Sequence, residues 1–181
     1  MVPALSARWR GACVAAVLLL AGCSSNENTF TPVCPELSLL SDAADLVRFT
    51  GPPGATPDAR RLALTARISA VPAKCGNIGP TKVQAKLNVA AQVRRGPAAV
   101  GDSAQIPYFV AITEGDKVLV ERDFVLTAKF RSNADQVAVN GEEIDLTLPV
   151  NKTRTAVAYH IYVGFRLTET ELAYNRAQAA H

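Results

Sequence analysis

The sequence predicts an all-β protein: an antiparallel β-sandwich of about seven strands followed by a short C-terminal helix. Three observations predict it. Segments of period-2 alternation recur along the chain, Gly, Pro, Asn and Asp cluster between them, and a helical pattern is confined to the C-terminal end.

From Cys34 the chain offers a short helical turn near Ser41 to Ala44 and a first short strand from Asp45 to Thr50. Gly51-Pro-Pro-Gly-Ala-Thr-Pro-Asp then forms a loop, because Pro removes donors and Gly frees the backbone. Arg61 to Val71 alternates Leu62, Leu64, Ala66, Ile68 and Ala70 against Ala63, Thr65, Arg67 and Ser69, which reads as a half-buried strand. A loop at Cys75-Gly-Asn-Ile-Gly-Pro follows. The clearest strand carries Val83, Ala85, Leu87, Val89, Ala91 and Val93 on one face and Lys82, Gln84, Lys86, Asn88, Gln92 and Arg94 on the other. Successive side chains point to opposite faces, so this is a long strand with one wet face.

Gln105 to Thr113 forms a more uniformly apolar strand, and Glu114-Gly-Asp116 is expected as a three-residue hairpin connection to Lys117 to Phe130. Arg122 interrupts the apolar parity of that return strand, which predicts a bulge or bend there. Ser132 to Asp135 turns the chain into Gln136 to Val139. Asn140-Gly141 is a strong hairpin signal leading to Glu142 to Leu148. In the last strand, Thr155 to Leu167, both faces are rather apolar, which suits a central position. Thr168-Glu-Thr-Glu171 is a capping-box pattern that starts a helix over Leu172 to Ala180. The strand pattern resembles immunoglobulin and fibronectin type III domains, although the sole Trp, Trp9, precedes the whole domain. A transmembrane barrel is disfavoured: its lipid face would be largely Ala and Val without aromatic girdles, and the strands number fewer than eight.

The N-terminus has a different composition. An apolar run from Gly11 to Cys23 follows Arg8 and Arg10, the order of an export signal, and it is shorter than the ~20 apolar residues that span a bilayer. Leu20-Ala21-Gly22-Cys23 resembles the lipobox of bacterial lipoproteins. The resemblance implies cleavage after residue 22, acylation of Cys23 as the first mature residue, and anchoring to a membrane. With Ser24 in place of Asp after the Cys, it also implies the outer membrane rather than the inner, with the domain in the periplasm. The organisation is then a signal peptide over 1–22, a lipidated Cys and tether over 23–33, and a single domain over 34–181. Ten extended tether residues reach ~33 Å, enough to clear lipid headgroups.

Of 19 basic residues, Arg8 and Arg10 leave with the signal, so 17 face 16 acidic ones and the mature charge is near +1. No basic run is interleaved with aromatics, so nucleic acid is not an expected partner. Cys34 and Cys75, the two remaining thiols in an oxidising compartment, are expected to pair; no Cys-x-x-Cys spacing suggests redox or metal work.

Chemistry is harder to find. His160 is the one mature His besides the terminal His181, it sits mid-strand, and no Gly-x-Ser-x-Gly elbow supplies a nucleophile. Asp102, Asp116, Asp135, Glu142 and Glu143 lie at turns, where acidic residues serve the backbone. No catalytic residue, metal or cofactor is therefore assigned. The doubly apolar last strand, with Tyr159, His160 and Tyr162, is the candidate face for an envelope protein partner. Core packing beneath the terminal helix explains the same pattern. The reading is a non-catalytic, lipid-anchored envelope protein with a binding or structural role. The alternatives are an envelope-polymer hydrolase using unrecognised carboxylates, or a carrier of a small apolar ligand.

Overall fold

A computed structural model describes residues 34–52 and 55–180, so the signal, Cys23 and the tether lie outside the described residues. The strands are β1 (Glu36–Leu39), β2 (Asp45–Phe49), β3 (Leu62–Ala70), β4 (Ala73–Asn77), β5 (Lys82–Leu87), β6 (Ala90–Arg95), β7 (Ser103–Glu114), β8 (Lys117–Lys129), β9 (Gln136–Asn140), β10 (Ile144–Pro149) and β11 (Tyr159–Phe165). A 3₁₀ turn over Ser41–Ala43 and a helix, α1 (Glu169–Ala179), complete the elements that matter below. Three sheets result, ordered β1-β11-β7-β8, β10-β5-β4 and β2-β3-β6-β9. Every pairing is antiparallel except β1 with β11, which is parallel.

Eleven strands appear among the described residues where about seven were expected: the 82–94 stretch divides in two, and β1 and β4 were not expected as strands. The 82–94 stretch keeps its alternation, with Val83, Ala85, Leu87, Val89, Ala91 and Val93 all buried. It nevertheless divides at Asn88 and Val89, so that β5 pairs with β4 and β10 while β6 pairs with β3 and β9. Pro72 separates β3 from β4, and its carbonyl accepts from Asn88 N at 3.1 Å. On the other flank Gly141 N donates to the Val89 carbonyl at 2.8 Å, and Asn88 Nδ2 donates to the Gly141 carbonyl at 2.5 Å.

Asn140-Gly141 is accordingly a bend and not a hairpin. β9 and β10 pair with β6 and β5 and not with each other, and neither residue takes the positive φ that a type I′ turn requires. What selects Gly141 is space: a Cβ there would stand 2.8 Å from Tyr108 Oη. The Cys75 loop is likewise β4; its Ala-Lys-Cys-Gly-Asn text has no apolar alternation to betray it. Between β7 and β8 the connection is Gly115-Asp116, two residues, with Gly115 at φ 57°, the placement of a type II′ turn. The bulge in this pair lies between Ile112 and Thr113, opposite Val118 to Val120; Arg122 keeps register with Val110. β1, which the sequence reading missed, is four residues long and too short to show a period.

The core is one cluster fed by all three sheets, with Leu46, Leu87, Ile106, Leu126, Ile161, Val163 and Phe165 among its most buried members. Each such aliphatic or aromatic side chain contributes about 1.5–3 kcal/mol on burial. Cys34 and Cys75 stand at disulfide distance, their Cα atoms 5.9 Å apart. The link ties the start of β1, at the edge of one sheet, to β4, at the edge of another.

Candidate functional site

β11 is flanked by β1 and β7, so both of its faces are set by packing. Tyr159, Ile161, Val163 and Phe165 point into the core, and Tyr159 Oη donates to the Pro149 carbonyl at 2.6 Å. With 1% of its surface exposed, Tyr159 does not share a face with His160 and Tyr162. Those two lie on the outer side, half-buried and stacked, with ring centroids 4.2 Å apart and planes 7° from parallel.

Small residues of β7 form the bed of this stack. Thr113 is opposite His160 and Ala111 opposite Tyr162, and both are buried. β1 supplies the polar side: His160 Nε2 lies 2.9 Å from Ser38 Oγ, and Nδ1 lies 3.6 Å from Glu36 Oε2. Further along, Gly164 lets the Phe109 ring and the Ser41–Ala43 turn close over the strand. A Cβ at 164 would meet Ala43 Cβ at 3.0 Å and Phe109 Cε1 at 3.2 Å. Arg166 lies over the Phe109 ring at 4.6 Å and reaches across β7 to Asp123 and Glu121 of β8, the latter at 2.6 Å. Those two carboxylates hold the guanidinium proton more firmly than usual. The outer face thus carries a stacked aromatic pair at one end and a fixed cation with two carboxylates at the other.

Two clefts between α1 and the sheets, and a third at the start of the helix lined by Arg48, Glu171 and Tyr174, were not legible in the sequence; the first two matter most here. The larger, about 760 Å³, is floored by Arg67, Gln92, Arg94 and Gln136 and walled by Tyr174 and Asn175. Its floor is a cross-strand polar ladder in which Arg94 donates to Gln136 at 3.0 Å and Gln136 donates to Gln92 at 3.3 Å. The smaller, about 400 Å³, is apolar inside, with Leu40, Phe109, Phe165 and Leu172 among its lining. The helix is held in place by polar contacts: Asn175 Nδ2 donates to the carbonyls of Asp42 at 2.9 Å and Asp45 at 2.7 Å. The signal for these clefts was the pairing of a capping box with Asn175 and Arg176, but only the fold reveals what they meet.

The carboxylates around the clefts are tied to cations: Asp42 to Arg176 at 2.8 Å, Asp45 to Arg67 at 2.5 Å and Glu171 to Arg48 at 2.8 Å. A carboxylate held this way is fixed in place by its arginine, an arrangement that suits structure or recognition. Among the described residues no cluster of three or more His, Cys, Asp or Glu is placed to hold a metal ion, and no helix is long and apolar enough to cross a membrane. Comparison with protein families, curated proteins and solved structures gave no match to this chain.

Proposed function

We propose that this chain is a non-catalytic, lipid-anchored protein of the cell envelope that docks an envelope protein through the outer face of β11. The observation that carries the docking role is the His160–Tyr162 stack: two aromatic rings, half-buried over Ala111 and Thr113 and bordered by polar groups of β1, on the outside of a sheet. A rigid, partly desolvated aromatic pair with a polar margin is the composition of an interface centre. The anchor is read from Leu20-Ala21-Gly22-Cys23, and with Ser24 next in line we place the protein at the outer membrane, domain in the periplasm. Tethering to a surface then raises the concentration of this face around membrane-bound partners.

In this reading the fold is a β-sandwich. β4-β5-β10 continues β3-β6-β9 across the bend at Pro72, Asn88 and Gly141, and together they form the layer opposite β1-β11-β7-β8. Binding is favoured over hydrolysis of an envelope polymer by the arginine partners of Asp42, Asp45 and Glu171. The apolar cleft beside α1 supports a second reading, the carriage of a small apolar ligand.

Two experiments test the proposal. Cys23→Ser is expected to move the protein from the membrane to the soluble periplasmic fraction, and unchanged membrane retention refutes the anchor. Mild cross-linking in intact cells, with purification through a C-terminal tag, is expected to recover one stoichiometric partner that Tyr162→Ala weakens. Recovery of no partner from either sample moves the assignment to the apolar cleft.

A further inference from the structure

We propose that β8 is the pairing edge of a homodimer, in which two copies of this chain join antiparallel along Glu121 to Lys129 about a two-fold axis at Val125. β8 ends its sheet, and no strand pairs with its far side among the described residues. It runs for 13 residues, and Val118, Leu119, Val120 and Val125 are 54%, 37%, 38% and 55% exposed. An uncovered edge of this length is a ready template for another strand.

The direction of the free backbone groups follows from one hydrogen bond. Arg166 N donates to the Pro107 carbonyl at 2.8 Å, so Pro107 faces β11. Val125, opposite Pro107, therefore turns its own N–H and C=O away from β7. By alternation the same holds for Glu121, Asp123, Thr127 and Lys129, and all five side chains are exposed. Only these residues can bond to an added strand.

Charge and ladder length together then select the register. Two-fold axes at Glu121, Arg122 or Asp123 set carboxylates of the two copies directly opposite each other, which is destabilising. An axis at Phe124 gives Glu121 and Asp123, which share Arg166 within their own chain, no basic partner in the second copy. With the axis at Val125, Glu121 faces Lys129 of the second copy, Asp123 faces Thr127, and the exposed Val125 side chain packs on its own image. Moving the axis to Leu126 also sets Asp123 opposite Lys129, but it carries Glu121 past the end of the strand and shortens the ladder to about eight main-chain hydrogen bonds. The Val125 register gives about ten main-chain hydrogen bonds. The bulge opposite Ile112 lies just outside the paired segment, where it ends the ladder and turns the hairpin tip aside. Neither Pro nor Gly interrupts the segment.

The test is a cysteine placed on the axis of the full-length protein in its own membrane. Val125→Cys is expected to give a covalent dimer on a non-reducing gel, and Val157→Cys, at least as exposed but outside β8, is expected to give none. Adding Lys129→Glu is expected to lower the dimer yield at least several-fold, and Glu121→Lys on top of it to restore the yield. Absence of the Val125→Cys dimer, an equal yield from Val157→Cys, or failure of the paired charge reversal to restore the link each overturns the proposal.

Discussion

Glu171 accepts from Arg48 Nε at 2.8 Å while its second carboxylate oxygen accepts from Thr168 N at 2.9 Å. A single side chain, 7% exposed, therefore caps α1 and fastens it to β2. Glu171→Ala removes both contacts and leaves Arg48 half-buried without its partner. The expected loss is about 1–3 kcal/mol in urea unfolding, with a weaker helical signal. Glu171→Gln keeps the capping geometry and is expected to lose less than half as much. An equal loss in the two variants would assign the stability to charge and not to the cap.

At the bend, Gly141→Ala brings a methyl group within 2.8 Å of Tyr108 Oη and 3.1 Å of Leu126 Cδ2, and neither can retreat from the core. About 1–3 kcal/mol of destabilisation is expected. Because the nearest obstacle is the Tyr108 hydroxyl, Tyr108→Phe should relieve part of it. The double variant is then less destabilised than the sum of the single changes, which a double-mutant cycle measures directly.

That bend also shows what the sequence could and could not reveal. The buried alternation of 83 to 93, the capping box at Thr168 and the central place of the last strand were all legible, because each is a local pattern with a local cause. Asn140-Gly141 misled because a turn dipeptide reports backbone freedom and not which strands lie alongside. The freedom here serves close approach to Tyr108, a contact between residues 33 positions apart. Tyr159 and Tyr162 looked alike for a similar reason: period-2 alternation separates two faces but does not say which of them is covered. The stack of His160 on Tyr162 needed β1 and Ser38, more than a hundred residues earlier in the chain.

Tyr108 makes a pH prediction. Burial first, and the charge of Glu142 second, hold its hydroxyl proton above the ordinary value of 10.0. The unfolded chain loses this proton near 10 while the folded chain keeps it, so above that pH the unfolded state binds fewer protons and stability falls as pH rises. The contribution is fully present below the unfolded value and is lost as pH climbs through the folded one. Urea midpoints from about pH 8 to 11 should therefore fall more steeply in the wild type than in Tyr108→Phe. Parallel curves would place the alkaline loss on other groups.

The bond between Cys34 and Cys75 closes a loop across 41 positions, for which chain entropy alone gives roughly 4 kcal/mol and engineered or native cases typically give about 2–4. Its position makes the effect local as well as global. β1 is four residues long and partly exposed, and it pairs with β11 only through its parallel ladder. Released from β4, it keeps only that ladder, the packing of Leu37 and the contacts of Glu36 and Ser38 with His160, so replacing both cysteines with Ser should lower overall stability by about 2–4 kcal/mol. It should also speed hydrogen exchange at the β1 amides well beyond the rest of the sheet. Since Glu36 and Ser38 of β1 border His160, the same variant is expected to weaken capture of a partner that Tyr162→Ala weakens, without altering membrane retention. Full capture with β1 exchanging freely would detach the docking role from this strand and return it to the rings of His160 and Tyr162 alone.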